Sequence, residues 1–170
     1  MSKVLFIGAH PDDIELGCGG TIYRYCEMGY QIRAIVIAEG SSSRYDNHHK
    51  YADIIKSDIK SRQENSVQSL ENLGVNSYEF YNLPCSRLDS FSMLKINKII
   101  ESEIGHFNPD VVFTHSHVDT NKDHRIVFES TKVATRPAAF PKVNHVYCYE
   151  VLSSTECSYE QVFKPKYFIC

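Results

Sequence analysis

Two stretches of this 170-residue chain gather residue types that do chemistry together. The first is "GAHPDD", Gly8 to Asp13, where an imidazole and two adjacent carboxylates follow the apolar run Val4-Leu5-Phe6-Ile7. The second runs His115-Ser-His-Val-Asp-Thr-Asn-Lys-Asp-His124. Neighbouring acids repel each other, so the first stretch is either a water-facing turn, with Asp as a favoured helix cap, or a holder of something positive. Histidine and carboxylate are ordinary zinc ligands, and a catalytic zinc takes three protein ligands plus a water. His10 and Asp13 are three residues apart across a Pro-containing turn, which can aim both inward and leave Asp12 free to act on a water. The third ligand stays open among His115, His117, Asp119, Asp123 and His124. That many ligand-type side chains on one rim would cost much repulsion and desolvation without a cation.

Other chemistries fit less well. Asp119 to Asp123 reads D-x-N-x-D, the opening of a calcium loop, but His124 stands where that loop needs Gly and Ser130 where it needs Glu. A dinucleotide site wants G-x-G-x-x-G at the first strand-to-helix turn. Here that turn holds His10, Asp12, Asp13 and Glu15, whose carboxylates would repel a pyrophosphate, and Gly17, Gly19 and Gly20 come too late. His48 and His49 read as solvated surface. Cys18, Cys26, Cys85, Cys148, Cys157 and Cys170 form no C-x-x-C pair and read as reduced thiols, mostly core fillers.

The elements that must position these residues follow from periodicity. Strands are expected over Val4–Ala9, Gln31–Ala38, Tyr78–Asn82, Asp110–His115 and His145–Leu152. Helices are expected over Gly17–Gly29, Ser57–Leu73, Ser90–Phe107 and Asp123–Ala134, with Leu94, Ile96, Ile99, Ile100 and Ile104 as the apolar side of the third. The polar span Glu39–Lys56 reads as a long functional loop, and the final "KPKYFIC" as the start of a further strand. Strict alternation predicts an α/β fold, a Rossmann-like, mostly parallel sheet with helices on both faces. Both chemical stretches then lie at strand carboxyl ends, where such sheets bind ligands.

Length predicts one domain over residues 1–170. At 42% hydrophobic and 23% charged residues, the composition is that of an ordinary globular chain. A net charge of −3 without a Lys/Arg run argues against nucleic acid. The start shows no charged-then-apolar leader and no run approaches membrane length, so a cytoplasmic location is expected.

"AHPDDIELGCGGTI", Ala9 to Ile22, resembles the signature of the PIG-L/LmbE-like zinc-dependent de-N-acetylases. "SRQENSVQSLENLGV", "DTNKDHR" and "YEVLSSTE" resemble further segments of that family, so the likeness extends over most of the chain. It implies His10, Asp13 and His124 as metal ligands, Asp12 as general base and Arg62 as a sugar contact. It implies zinc, or iron(II), as cofactor, and an N-acetyl amino sugar or its conjugate as the small-molecule substrate; a homo-oligomer is compatible with it. Two departures stand out. Many members carry a second catalytic His where this chain has Asn121, which donates a hydrogen bond but no proton; either Asp12 performs both proton transfers, or His117 or His115 reaches in, or activity is low, and compensation is the expectation. Members are also commonly longer, so a C-terminal portion of the domain is expected to be missing. The expected activity is metal-dependent removal of an N-acetyl group. The alternatives are a metal-binding, catalytically weak relative and a nucleotide-binding Rossmann domain.

Overall fold

The first strand explains the layering. Val4 and Phe6 point to one side of it and Leu5 and Ile7 to the other, and all four are fully buried. A strand apolar on both faces must lie inside a sheet covered twice. In a computed structural model describing residues 2–140, 142–157, 159 and 162–169, it does. Strands β1 (Lys3–Gly8), β2 (Gln31–Ala38), β3 (Tyr78–Leu83), β4 (Val111–Thr114) and β5 (His145–Cys148) form one sheet in the order β3-β2-β1-β4-β5. Every pairing is parallel.

Helices α1 (Asp13–Glu27) and α2 (Ala52–Asn72) cover one face. There Ile14, Cys18, Ile22, Tyr25 and Leu70 pack with Val4 and Phe6. Helices α3 (Met93–Phe107) and α4 (Lys122–Ala134) cover the other, where Ile96, Ile100, Ile104, Val127 and Ala134 meet Leu5 and Ile7. Truncating one of these fully buried isoleucines to Ala would cost about 2–5 kcal/mol.

The strand order sets the place of the site. From β1 the chain goes to β2 and β3 on one side, then returns to add β4 and β5 on the other. The crevice between the carboxyl ends of β1 and β4 is therefore the switch point at which open α/β sheets hold ligands. His10–Asp13 follows β1 and His115–His124 follows β4.

Several local expectations are corrected. The first helix begins at Asp13, four residues earlier than its apolar period suggested, because the turn after β1 feeds it directly. The span 39–56 contains a 3-10 turn at Ser42–Arg44, and α2 already begins at Ala52. β5 stops at Cys148, and residues 164–169 of the expected additional strand carry no strand; Cys170 lies outside the described residues. Leu94 is 63% exposed rather than part of the apolar side of α3. Cys18 and Cys85 are buried, but Cys148 and Cys157 are exposed and fill no core.

Gly17 holds the last part of the chain against α1. A Cβ there would lie 2.5 Å from Tyr149 Cδ2 and 2.7 Å from the Glu150 carbonyl oxygen, so only glycine allows the segment after β5 to cross this close. Tyr149 is thereby set under the site, its hydroxyl donating to the Ile7 carbonyl at 2.9 Å.

Candidate metal centre

The turn after β1 delivers three side chains in three directions. Asp12 has φ 112°, a left-handed conformation that a non-glycine residue adopts only at a cost of about 1–3 kcal/mol. This kink lets α1 start at once and separates the adjacent acids. Asp13 turns inward and is buried, with Oδ2 accepting the His10 backbone N–H at 2.8 Å. Asp12 turns outward, its side chain half exposed, and pairs with Arg62 at 3.0 Å. The helix-cap alternative for this turn does not hold: Asp12 stands at the N-cap of α1, but its side chain makes no capping bond.

Helix α4 supplies the opposite wall. His124 Nε2 lies 3.3 Å from His10 Nδ1 and 3.3 Å from Asp13 Oδ2, and His10 Nδ1 lies 3.4 Å from the same oxygen. A tetrahedral zinc with bonds of about 2.0–2.1 Å spaces its ligands about 3.3–3.4 Å apart. The three edges of this triangle match that spacing, so the residues fit the metal. Each imidazole also has a carboxylate behind it. His10 Nε2 meets Asp123 Oδ2 at 3.0 Å, and His124 Nδ1 meets Asp119 Oδ2 at 3.0 Å. Such partners fix the ring orientation and the tautomer of a ligating histidine.

Those two acids are themselves held. Asp123 accepts backbone N–H bonds from Ser86 at 2.6 Å and Leu88 at 3.2 Å. Asp119 accepts from Thr155 Oγ1 at 2.7 Å, Ser154 Oγ at 3.0 Å and the Asn121 backbone N–H at 2.8 Å. Two other groupings have ligand atoms close together, His10–Cys85–Asp123 and His115–Asp119–His124. Their acids are occupied by these donors, and His115 Nε2 accepts the Ala9 N–H at 2.8 Å. His10, Asp13 and His124 therefore form the best-prepared set.

The charges follow from this packing. Burial disfavours a charge on His10, but hydrogen bonds to Asp123 and Asp13 outweigh it and push the pKa up to about 12. His124 is likewise pushed up to about 9, burial being outweighed by Asp119 and Asp13. Burial also opposes the charge on Asp13, yet His115, His10 and His124 hold it well below the usual carboxylate range. Fully buried His115 is pushed down, because burial prevails over Asp13. Burial and the charge of Asp13 raise Asp12, with Arg62 acting against them.

Of the remaining expected site residues, Arg62 is brought to Asp12, while His117 and Asn121 are not brought to the triad. His117 is exposed, with its ring against Phe128 at 5.6 Å, and makes no hydrogen bond among the described residues. Asn121 caps α4, its side-chain oxygen accepting the Asp123 N–H at 3.0 Å. Arg62 lines a groove of about 480 Å³ between α1 and α2 with Asp12, Ser41 and Arg44. His48 is not simply solvated: it is half buried against Arg87 at 3.0 Å.

Glu39 lies outside both chemical stretches. It is buried and joins the loops after β2 and β3 by accepting from the backbone N–H of Ser41 at 2.6 Å, Ser42 at 3.0 Å and Cys85 at 2.9 Å. The available signal was an acid at the carboxyl end of the second strand, on the same rim as the two chemical stretches.

Comparison with known proteins bears on the family and the fold. Residues 5–135 match the family described as PIG-L: GlcNAc-PI de-N-acetylase. The chain is 31% identical to the uncharacterized deacetylase YaiS of Escherichia coli K12, over 97% of its own length and 84% of that protein's. Its fold is similar to that of N,N'-diacetylchitobiose deacetylase from Pyrococcus horikoshii, with TM-score 0.64 and 23% identity over 84% of this chain and 52% of that one. It is equally similar to GalB, a 4-carboxy-2-hydroxymuconate hydratase from Pseudomonas putida, with TM-score 0.65 and 22% identity over 79% and 55%. The chain thus spans about half the length of these two structures, and one fold carries both a deacetylase and a hydratase. The family match and the YaiS alignment together establish that this chain belongs to the PIG-L family of deacetylases.

Proposed function

We propose that the protein is a metal-dependent amide hydrolase that removes the acetyl group from an N-acetyl amino sugar or a conjugate of one. The observation that carries this reading is the triangle of His10, Asp13 and His124 with Asp12 beside it. His10 through Nδ1, His124 through Nε2 and Asp13 through Oδ2 would hold the ion, with zinc the best fit to the spacing and iron(II) compatible with the donors. When bound, a divalent metal supplies Lewis-acid polarisation of the acyl oxygen and activates water.

The protein's own groups divide the remaining work. Asp12, on the open side of the triad, takes a proton from the attacking water as its oxygen bonds the acyl carbon. It returns that proton to the nitrogen as the C–N bond breaks, so acetate and a free amine leave. With His117 turned to solvent and Asn121 engaged as a cap, neither reaches the triad, and Asp12 carries both transfers. Arg62 orients Asp12 and faces the groove in which sugar hydroxyls would bind.

The test is amine release from N-acetylglucosamine and its conjugates by zinc-loaded protein. Chelator-sensitive release of a primary amine is expected; absence of release with full metal occupancy would overturn this reading in favour of a metal-binding relative with weak or different chemistry. The GalB-like fold makes hydration of an unsaturated acid the control reaction.

A further inference from the structure

Arg87 stands on the turn after β3 and meets no carboxylate within ion-pair distance among the described residues. Nearby, Arg62 is paired with Asp12 and Lys122 with Asp89, while Arg44 on the loop after β2 likewise has no ion pair among the described residues. The Arg87 guanidinium instead faces a hydroxyl and an imidazole ring. Nη2 donates to Ser42 Oγ at 2.7 Å, while Nη1 lies 3.0 Å from His48 Nδ1 and Nη2 3.4 Å from His48 Nε2. A neutral imidazole has one acceptor nitrogen, and guanidinium has none. One of the two ring contacts therefore sets an N–H against an N–H.

The surroundings repeat this excess of donors. Ser43 Oγ and Ser86 Oγ, both on exposed residues, lie 3.3 Å and 3.7 Å from Cys85 Sγ, a weak acceptor. The carboxylate nearest in the network, Glu39, is occupied by three backbone N–H groups and the Ser42 hydroxyl. Cys85 Sγ, between these serines, is within 4.8 Å of the ligand-type atoms of His10 and Asp123. The donor cluster thus adjoins the metal-ligand triad across a single side chain.

We infer that Arg87 and His48, with Ser43 and Ser86, form an oxyanion site that takes a phosphate or carboxylate group carried by the substrate. An oxyanion seated there gives each mismatched N–H an acceptor and accepts the forked donors of guanidinium in pairs. It also supplies the counter-charge Arg87 lacks. As a substrate group, it makes an anionic N-acetyl amino sugar preferred over a neutral one. That preference rests on the deacetylase reading; the oxyanion site itself does not.

Two measurements separate these. Inorganic phosphate is titrated into metal-loaded wild type, Arg87→Gln, Arg87→Lys and His48→Ala, with melting temperature as a folding check. The expected result is a Kd about tenfold or more weaker in Arg87→Gln, as loss of charged hydrogen bonds implies, weaker in His48→Ala and partly kept in Arg87→Lys. Equal phosphate affinity in wild type and folded Arg87→Gln overturns the site. The second measurement is the ratio of kcat/KM for phosphorylated over neutral N-acetylglucosamine, and for an N-acetyl sugar bearing a carboxylate over the same neutral sugar. The anion that gives an elevated ratio identifies the source, and that ratio should fall about tenfold in Arg87→Gln. Ratios near one for both anions overturn the substrate preference. No turnover of any sugar defeats the deacetylase reading while the phosphate titration still decides the site.

Discussion

His10 and Asp123 stand 113 residues apart in sequence, yet His10 Nε2 and Asp123 Oδ2 meet at 3.0 Å. The bond joins the turn after β1 to the first turn of α4 and directs His10 Nδ1 at Asp13 and His124. Because Ser86 and Leu88 donate to the same carboxylate, the loop after β3 is joined to it as well. Two carboxyl-end loops of the sheet thus converge on one aspartate of α4, and the metal-binding geometry depends on it.

Asp123→Asn and Asp119→Asn should each weaken zinc binding about 10- to 100-fold while leaving the three ligands in place. Competition against a chelator of known affinity measures this. Unchanged affinity in both would mean that the acids serve only the backbone they accept from.

Metal uptake should release protons. With His10 raised to about 12 and His124 to about 9, both imidazoles are charged near pH 7 in the metal-free protein, and each must lose a proton to ligate. Calorimetry in buffers of different ionisation enthalpy should report about two protons released. The sign for stability follows from the same raised values. Protonated His124 stabilises the metal-free fold below its unfolded pKa of about 6.5, and that contribution disappears as pH rises through about 9. The metal-free melting temperature should therefore fall over that interval, and the loaded protein's should not.

The adjacent acids should give different phenotypes. Asp12→Asn should retain metal and lose on the order of 10² to 10⁴ in turnover, the usual worth of a general base. Asp13→Asn should lose metal, because its Oδ2 forms two edges of the ligand triangle. Metal analysis beside an amine-release assay separates the two, and a reversed pattern would exchange their roles.

Asn121 and His117 should behave as structural and surface residues. Asn121→Ala should cost about 1 kcal/mol through loss of the α4 cap, and Asn121→Asp should be tolerated. His117→Ala should change turnover by less than about twofold, since a general acid would be worth 10² or more. A hundredfold loss in His117→Ala would return it to the catalytic machinery.

Gly17→Ala should test the crossing behind the site. Its Cβ would meet Tyr149 and the Glu150 carbonyl at 2.5 Å and 2.7 Å, and overpacking of this kind costs about 1–3 kcal/mol. Thermal unfolding measures the loss. A neutral result would show that the segment after β5 shifts freely.

The sequence by itself determined the alternation of strands and helices, and β2 over Gln31–Ala38 agrees at both ends. Continuous apolar runs are a local property, and so is the order His-Pro-Asp-Asp; the resemblance marks His10, Asp12 and Asp13 there and His124 after the fourth strand. What residue types and spacing left open was which of the five acids and imidazoles after β4 shares the ligand triangle with His10 and Asp13. That choice depends on the strand order, which places β4 beside β1, and on the phase of α4, which turns His124 toward Asp13 and leaves Asp119 and Asp123 behind the two imidazoles. His117 is close to Asn121 in sequence, but in three dimensions its ring lies against Phe128. The donor-rich pairing of Arg87 with His48 likewise joins residues 39 positions apart that carry no shared motif. Chain order sets which elements form, whereas contacts between loops of different strands decide which side chains meet, because those loops converge only once the sheet has closed.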